Sequence, residues 1–347
     1  TPASTTKTLA AFTALAHLDP TATLTTSALL GADSHTLYLD SEGDLLLGIG
    51  ASETREVPGR AGLQTLADDT AAVLAQRGVT SVTLDWRGTL FEGASHLSSW
   101  DAQEVGAYEG EVGPMAIDAG RTYEGANDFY SDSPARVAQV FAQALGAAGI
   151  NATLGEAGEP PAGAAALATV SSATMGEQLR WMLAHSDNTL ADQYCRFAAR
   201  AAGAPATYEG ATSTVASTLS AAGVPTEGLF LEDCSGLSSN DRISANTLVG
   251  VLKASYSGQG TSADTMRLLP WAGLVGTLSK RMTEEPAVGN VQAKTGALAE
   301  VSSLSGSVIT RGGRVLLVSI GHDQVTAGAL ATRGRLDAFE EGLAGLN

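Results

Sequence analysis

Three short stretches carry side chains that could make and break an acyl bond. The first is Ser4-Thr5-Thr6-Lys7. On a helix, positions i and i+3 share one face about a turn apart, so the Lys7 amine can reach the Ser4 hydroxyl. A serine is a weak nucleophile until a base takes its proton. A lysine whose pKa is depressed by burial or by nearby positive charge can be that base. Ser-x-x-Lys occurs once here, because Lys7, Lys253, Lys280 and Lys294 are the only lysines. The second stretch is Ser186-Asp187-Asn188, between two predicted helices. Its hydroxyl can pass on a proton, and its amide can hold a peptide carbonyl or orient a lysine. The same residue types also serve simply as a helix cap. Ser238-Ser239-Asn240 and Ser244-Ala245-Asn246 fit the looser Ser-x-Asn pattern equally well. Ser186 is preferred for its helix–turn–helix setting and its place between the other two stretches. The third is Lys294-Thr295-Gly296, which follows a strand and opens a turn. Its ammonium and hydroxyl can hold a carboxylate, and a glycine there lets a ligand approach the strand edge. A surface lysine before a turn is the ordinary alternative.

These residues need elements to position them. Apolar Leu9, Phe12, Leu15 and Ala16 predict a helix over 5–18, with Pro20 beyond it, and place Ser4 where helix N–H groups favour developing negative charge. Strand-like runs follow at 36–39 and 45–49, a helix at 63–76 that closes on Arg77-Gly78, and a strand at 79–86. Residues 88–132 show no clear period. A helix is predicted over 134–145, and Gly155 to Pro161 reads as the best linker in the chain. Helices at 175–184 and 189–202 flank Ser186. Strands at 288–293, 301–310 and 314–321 surround the turn Arg311-Gly312-Gly313, and a last helix is predicted over 326–343. The order suggests an α+β architecture.

Composition removes several alternatives. The 347 residues are 44% hydrophobic and 16% charged, which excludes a wholly disordered chain. Asp and Glu number 37 against 20 Lys and Arg, for a net charge of −17. Such a surface repels nucleic-acid phosphate and anionic lipid and aids solubility. No apolar run is long enough for a transmembrane helix. The five histidines lack metal-ligand spacing, so no metal is expected, and His185 beside Ser186 reads as a solvated or capping residue. Gly48-Ile49-Gly50 lacks the third glycine and following helix of a phosphate loop. Trp100, Asp101 and Tyr108 are weighed as walls of a peptide pocket and read as local packing. The opening Thr1-Pro2-Ala3-Ser4 reads as a mature, trimmed or partial chain.

The coincidence of Ser-x-x-Lys, Ser-Asp-Asn and Lys-Thr-Gly, in that order, resembles the penicillin-interacting serine acyl-transferases. More narrowly, the chain resembles the class C low-molecular-weight penicillin-binding proteins, the D-alanyl-D-alanine carboxypeptidase/endopeptidase family. Pro2 to Lys7 is similar to that family's nucleophile segment, and Asp233-Cys234-Ser235-Gly236-Leu237-Ser238 to its Asp-Gly-Ser-Gly-Leu-Ser stretch. Leu269-Pro270 through Gly276-Thr277-Leu278 and Arg281 is similar to the approach to Lys-Thr-Gly. The long interval from Ser4 to Ser186 implies an insert, which separates the chain from class A β-lactamases. Their deacylating glutamate also has no counterpart, since neither Glu227 nor Glu232 has an asparagine four residues on.

The resemblance implies a transpeptidase-like domain, an antiparallel sheet flanked by helices, from residues 1–22 and 171–347. Residues 23–170 would be an inserted region of one or two small α/β or mostly-β subdomains, the division being about 23–50 with 134–170 and about 51–133. It implies Ser4, Lys7, Ser186 and Lys294 as catalytic residues, and Asn188, Thr295, Gly296 and Ala297 as substrate-binding ones. The family usually has threonine where this chain has Ala297. The N–H of Ala297 would still complete an oxyanion hole with that of Ser4. The expected activity is serine D-alanyl-D-alanine carboxypeptidase, with endopeptidase action open. The substrate would be a peptidoglycan stem peptide ending in D-Ala-D-Ala, with β-lactams as acylating mimics and no cofactor. A β-lactamase-like or other D-amino-acid peptide hydrolase of the same fold, and a non-catalytic cell-wall binding protein, are the alternatives. Such a substrate implies an extracytoplasmic location, in the periplasm or cell envelope. There, Cys195 and Cys234 would form one bridge across about forty residues, worth ~3–4 kcal/mol, rather than remain two buried thiols.

Overall fold

The computed structural model describes residues 1–258, 260–326 and 328–347. A 3₁₀ turn (Ala3–Thr6) runs into α1 (Lys7–His17). Then come β1 (Thr25–Leu30), β2 (Thr36–Ser41), β3 (Asp44–Leu47), α2 (Leu63–Gln76), β4 (Ser81–Trp86), a short α3 (Ser98–Ala102), β5 (Met115–Ile117), α4 (Ser133–Ala147), β6 (Asn151–Ala157) and β7 (Ala165–Ser171). The rest of the chain forms α5 (Met175–His185), α6 (Asn188–Ala201), α7 (Tyr208–Ala221), α8 (Ala245–Tyr256), α9 (Thr265–Leu268), β8 (Val291–Leu298), β9 (Val301–Ile309), β10 (Val315–His322) and α10 (Ala329–Ala344). The start expected at Thr326 for the last helix takes in Ala327, which lies outside the described residues. Among the described residues, no helix is long and apolar enough to cross a membrane.

The chain divides into two compact units. The first comprises Thr1–Pro20, Leu97–Gly106 and Leu179–Asn347; the second comprises Thr21–His96 and Ala107–Gln178. Ten residues expected within the insert, Leu97–Gly106, therefore belong to the first unit.

In the first unit, β10-β9-β8 form an antiparallel sheet. Its middle strand β9 is buried along almost its whole length, which its serines and Gly306 allow because they are small. A Cβ on Gly306 would stand 2.0 Å from the Gln292 carbonyl oxygen. Val291, Ala293, Leu304 and Val308 of the sheet pack with Ala344 and Leu343 of α10. In α1, every residue from Lys7 to Leu15 is buried, as expected of a stretch that is apolar on all sides but for one lysine and two threonines.

In the second unit, the sheet order is β6-β4-β2-β1-β7. β2, β4 and β6 are mutually parallel, and β1 is antiparallel to both β2 and β7. Strands β1 and β2 alternate buried and half-buried positions, the mark of a sheet covered chiefly on one face. Leu63, Leu66 and Leu74 of α2 and Val137 and Phe141 of α4 fill that core with Leu37, Leu39 and Leu84. β3 and β5 make a separate two-stranded parallel sheet. Strand β4 comes from the stretch expected to form a second subdomain, so the five-stranded sheet draws on both parts of the insert.

Gly155 to Ala157 are not a linker. They end β6, paired in parallel with β4 from Ser81↔Asn151 to Trp86↔Ala157. β6 is an edge strand with mostly exposed side chains, so it lacks the apolar alternation that marks a covered strand. A Cβ on Gly155 would meet the Asp85 carboxylate at 2.0 Å, so a side chain there would have to displace that of Asp85.

Candidate active site

The 3₁₀ turn holding Ser4 is pinned by its own threonines. Thr5 Oγ1 donates to the Pro2 carbonyl (2.8 Å) and Thr6 Oγ1 to the Ala3 carbonyl (2.8 Å). Ser303 Oγ, on β9, donates to the Pro2 carbonyl as well (2.6 Å). Ala3 has φ 51°, a left-handed conformation that costs an L-residue energy and is held here by these bonds. Lys7 begins α1 and is wholly buried. Its Nζ donates to Ser4 Oγ (3.0 Å), Asn188 Oδ1 (2.6 Å) and the Ser235 carbonyl (2.6 Å). Those three acceptors match the three donors of an ammonium.

Asp187 caps α6 by accepting the Leu190 N–H at 2.8 Å. The cap sets Asn188 at the first helical position, where its amide reaches Lys7. Ser186, with φ 60°, turns the chain between α5 and α6. Its Oγ accepts from Lys294 Nζ at 2.8 Å, and the same ammonium reaches the Thr295 carbonyl at 2.8 Å. Lys294 lies on β8 and is completely buried. Burial, then the charges of Lys7 and Arg281, hold its pKa well below the ordinary lysine value. His185 stacks on Trp181 with ring centroids 4.3 Å apart and sets its Nδ1 3.0 Å from the Trp181 carbonyl.

Strand β8 runs beside the nucleophile turn. A Cβ on Gly296 would meet Ser303 Oγ at 2.2 Å, the Pro2 carbonyl at 2.6 Å and the Ser4 nitrogen at 3.2 Å. Gly296 is thus needed for this close approach. Thr295 Oγ1 donates to Thr277 Oγ1 (3.0 Å), and Ala297 is exposed opposite Ser302. Two direct clusters result: Lys7 with Ser4 and Asn188, and Lys294 with Ser186.

Sequence reasoning did not assign a role to the loop Asp233–Ser238, which supplies Lys7 with the Ser235 carbonyl. A main-chain acceptor leaves no trace in residue type. The glycine behind it does. Gly236 has φ +77°, and a Cβ there would lie 2.1 Å from the Ala3 carbonyl oxygen. Trp100 donates from Nε1 to Asp233 Oδ2 (2.9 Å) and packs edge-on to Tyr208 with centroids 5.4 Å apart, so it is a packing residue. Cys195 and Cys234 are joined by a disulfide with Cα atoms 6.5 Å apart.

The α+β arrangement is that of penicillin-binding proteins. Penicillin binding protein 4 from Haemophilus influenzae superposes with a TM-score of 0.78 at 20% identity, covering 99% of this chain and 90% of that one. A predatory peptidoglycan endopeptidase from Bdellovibrio bacteriovorus superposes at 0.56 and 14% identity, covering 99% and 85%. Carboxypeptidase DacB of Mycolicibacterium smegmatis is 34% identical over 331 residues, 92% of this chain and 70% of its own length. The chain matches the D-Ala-D-Ala carboxypeptidase 3 (S13) family over residues 1–131 and 127–343, and it belongs to that family.

Proposed function

We propose that this protein is a serine D-alanyl-D-alanine carboxypeptidase that works through an acyl-enzyme on Ser4. The observation that carries the proposal is the Ser4 Oγ–Lys7 Nζ contact of 3.0 Å, with the ammonium gripped on its other sides by Asn188 and Ser235. Burial, then the charges of Lys7 and Arg281, favour the neutral form of Lys294. The free amine on Lys7 accepts the Ser4 proton as Oγ attacks the carbonyl between the two D-alanines. The N–H groups of Ser4 and Ala297 hold the oxyanion. Ser186, bonded to Lys294, relays the proton that Lys7 took from Ser4 to the departing amine of the terminal D-alanine, which leaves Lys7 ready to take a proton from the incoming water. Lys294 and Thr295 receive that residue's carboxylate. Water then attacks the ester, frees the shortened stem peptide and restores the Ser4 hydroxyl.

β-Lactams present the same carbonyl in a ring whose leaving amine cannot diffuse away, so they should leave a long-lived ester on Ser4. A peptidoglycan stem peptide as substrate places the enzyme outside the cytoplasmic membrane. The experiment is fluorescent-penicillin labelling followed by mapping of the modified residue. One label on Ser4, none on Ser4→Ala, and D-alanine release from a D-Ala-D-Ala peptide are expected. Label on another residue, or a Ser4→Ala variant that still labels, would contradict the mechanism. Rapid turnover of the ester would indicate a β-lactamase instead. The variant should lose about 1–3 kcal/mol of stability and still fold, because it takes one acceptor from the buried Lys7 ammonium.

A further inference from the structure

The lysine beside Ser4 is gripped by two elements far apart in sequence. Helix α6 supplies Asn188 Oδ1, and the loop Asp233–Ser238 supplies the Ser235 carbonyl, each 2.6 Å from Lys7 Nζ. Cys195 stands about two turns along α6 from Asn188. Cys234 immediately precedes Ser235. The Cys195–Cys234 disulfide therefore ties the two jaws together, next to Ser235 on the loop and about 10 Å along the helix from Asn188. A second strut runs parallel to it: Asp192 Oδ1, also on α6, accepts the Cys234 N–H at 2.8 Å. Asp233 braces the loop from within, accepting the N–H groups of Gly236 (2.7 Å) and Ser238 (2.7 Å) as well as Trp100 Nε1. Cys195, Cys234, Asp192 and Asp233 are all buried.

This placement goes beyond general stapling. A disulfide elsewhere would restrict the unfolded chain equally well. Here, a shift of either end moves an acceptor of the buried ammonium. Inside a protein the value of such an acceptor depends steeply on its placement.

We propose that Cys195, Cys234 and Asp192 are positioning residues for the reaction: they fix the spacing between the Asn188 amide oxygen and the Ser235 carbonyl, and so aim Lys7 Nζ at Ser4 Oγ. The inference rests on the acyl-enzyme reading above. The test is stopped-flow saturation kinetics of a fluorescent penicillin on the wild type, Cys195→Ala/Cys234→Ala and Asp192→Ala. It separates the acylation rate constant from the dissociation constant of the preceding complex. In both variants the rate constant should fall by roughly ten- to a hundredfold, with the dissociation constant unchanged and the final labelled fraction equal to the folded fraction from circular dichroism. A mere staple would lower the melting temperature and leave the rate constant of the folded molecules as in the wild type, which overturns the proposal. If the double alanine variant is unfolded at the assay temperature, Asp192→Ala keeps the covalent bond, removes the acceptor of the Cys234 N–H and decides by the same criterion. A wild type that takes no label sinks the acyl-enzyme reading itself, and the clamp with it.

Discussion

Lys294 is a cation in a place that resists cations. It is fully buried beside two other positive groups, Lys7 and Arg281, and its pKa is depressed well below 10.5. Between its folded-state and unfolded-state values the unfolded chain binds more protons, so the contribution of Lys294 to stability rises with pH over that window. Lys294→Met removes the term. Urea midpoints measured at about pH 7 and about pH 9.5 should show the wild type gaining on the variant as pH rises, by at most about 1.4 kcal/mol per pH unit. A difference independent of pH would mean that Lys294 keeps an ordinary pKa in the folded protein. At this scale the sequence was informative where chemistry depends on side-chain type. Ser4, Lys7, Ser186, Asn188 and Lys294 could be singled out by residue and order, and in the structure they contact one another in the two clusters described. It was silent where chemistry depends on backbone. The Ser235 carbonyl could not be found this way, nor could the hydroxyl of Thr277 be told from that of any surface threonine.

The elements holding these residues meet at Gly236 and Gly296, where an added Cβ would collide with the backbone of the nucleophile turn. At Gly236 the φ of +77° and the 2.1 Å approach to the Ala3 carbonyl act together, so Gly236→Ala must shift either its own loop or the turn bearing Ser4. We expect about 2 kcal/mol or more of lost stability and a large loss of penicillin acylation. Gly228→Ala is the matched control. It has a similar φ of +70°, but open space around the added methyl, so it should cost about 1 kcal/mol and leave acylation intact. Equal effects on acylation would show that contact with the nucleophile turn is not what Gly236 protects. The same dependence on neighbours explains which elements were legible. α2 and α4 bury one face each, and their predicted spans match the observed ones within two residues. β5 is three residues long in a glycine- and serine-rich stretch, too short to set up a period. β6 looked like a linker because an exposed edge strand is held by its backbone ladder rather than by side-chain burial.

Over the molecule as a whole, stability should decline from mildly acidic to neutral pH, and two buried carboxyls give this decline a local origin. Asp44, in the second unit, is wholly buried, and desolvation raises its pKa from 3.8 to about 7 against one bond from the Leu46 N–H. Glu340, in α10 of the first unit, is raised from 4.5 to about 7 by burial and by the neighbouring Asp337. Asp337 itself pairs with Arg281, whose Nη2 lies 2.5 Å from Oδ1. For both carboxyls the folded state binds protons more tightly than the unfolded one. Their favourable contribution is therefore complete below about pH 4 and is lost as pH climbs through about 7. Surface repulsion in a chain of net charge −17 grows in the same direction, so the wild-type profile alone cannot separate the two causes. Single substitutions can. Asp44→Asn should flatten the pH dependence of the β2 and β4 amides in hydrogen exchange, after correction for intrinsic rates, and Glu340→Gln should flatten that of β9. For Asp44 the displacement sets a ceiling of about 4 kcal/mol, and packing relaxation will keep the observed gain at pH 8 below it. Both substitutions remove a surface charge's worth of repulsion equally, so a flattening that follows the substituted unit identifies burial as the cause. A slope unchanged in both variants would assign the decline to the acidic surface together with the other carboxyls that burial raises, Asp241 and Glu111.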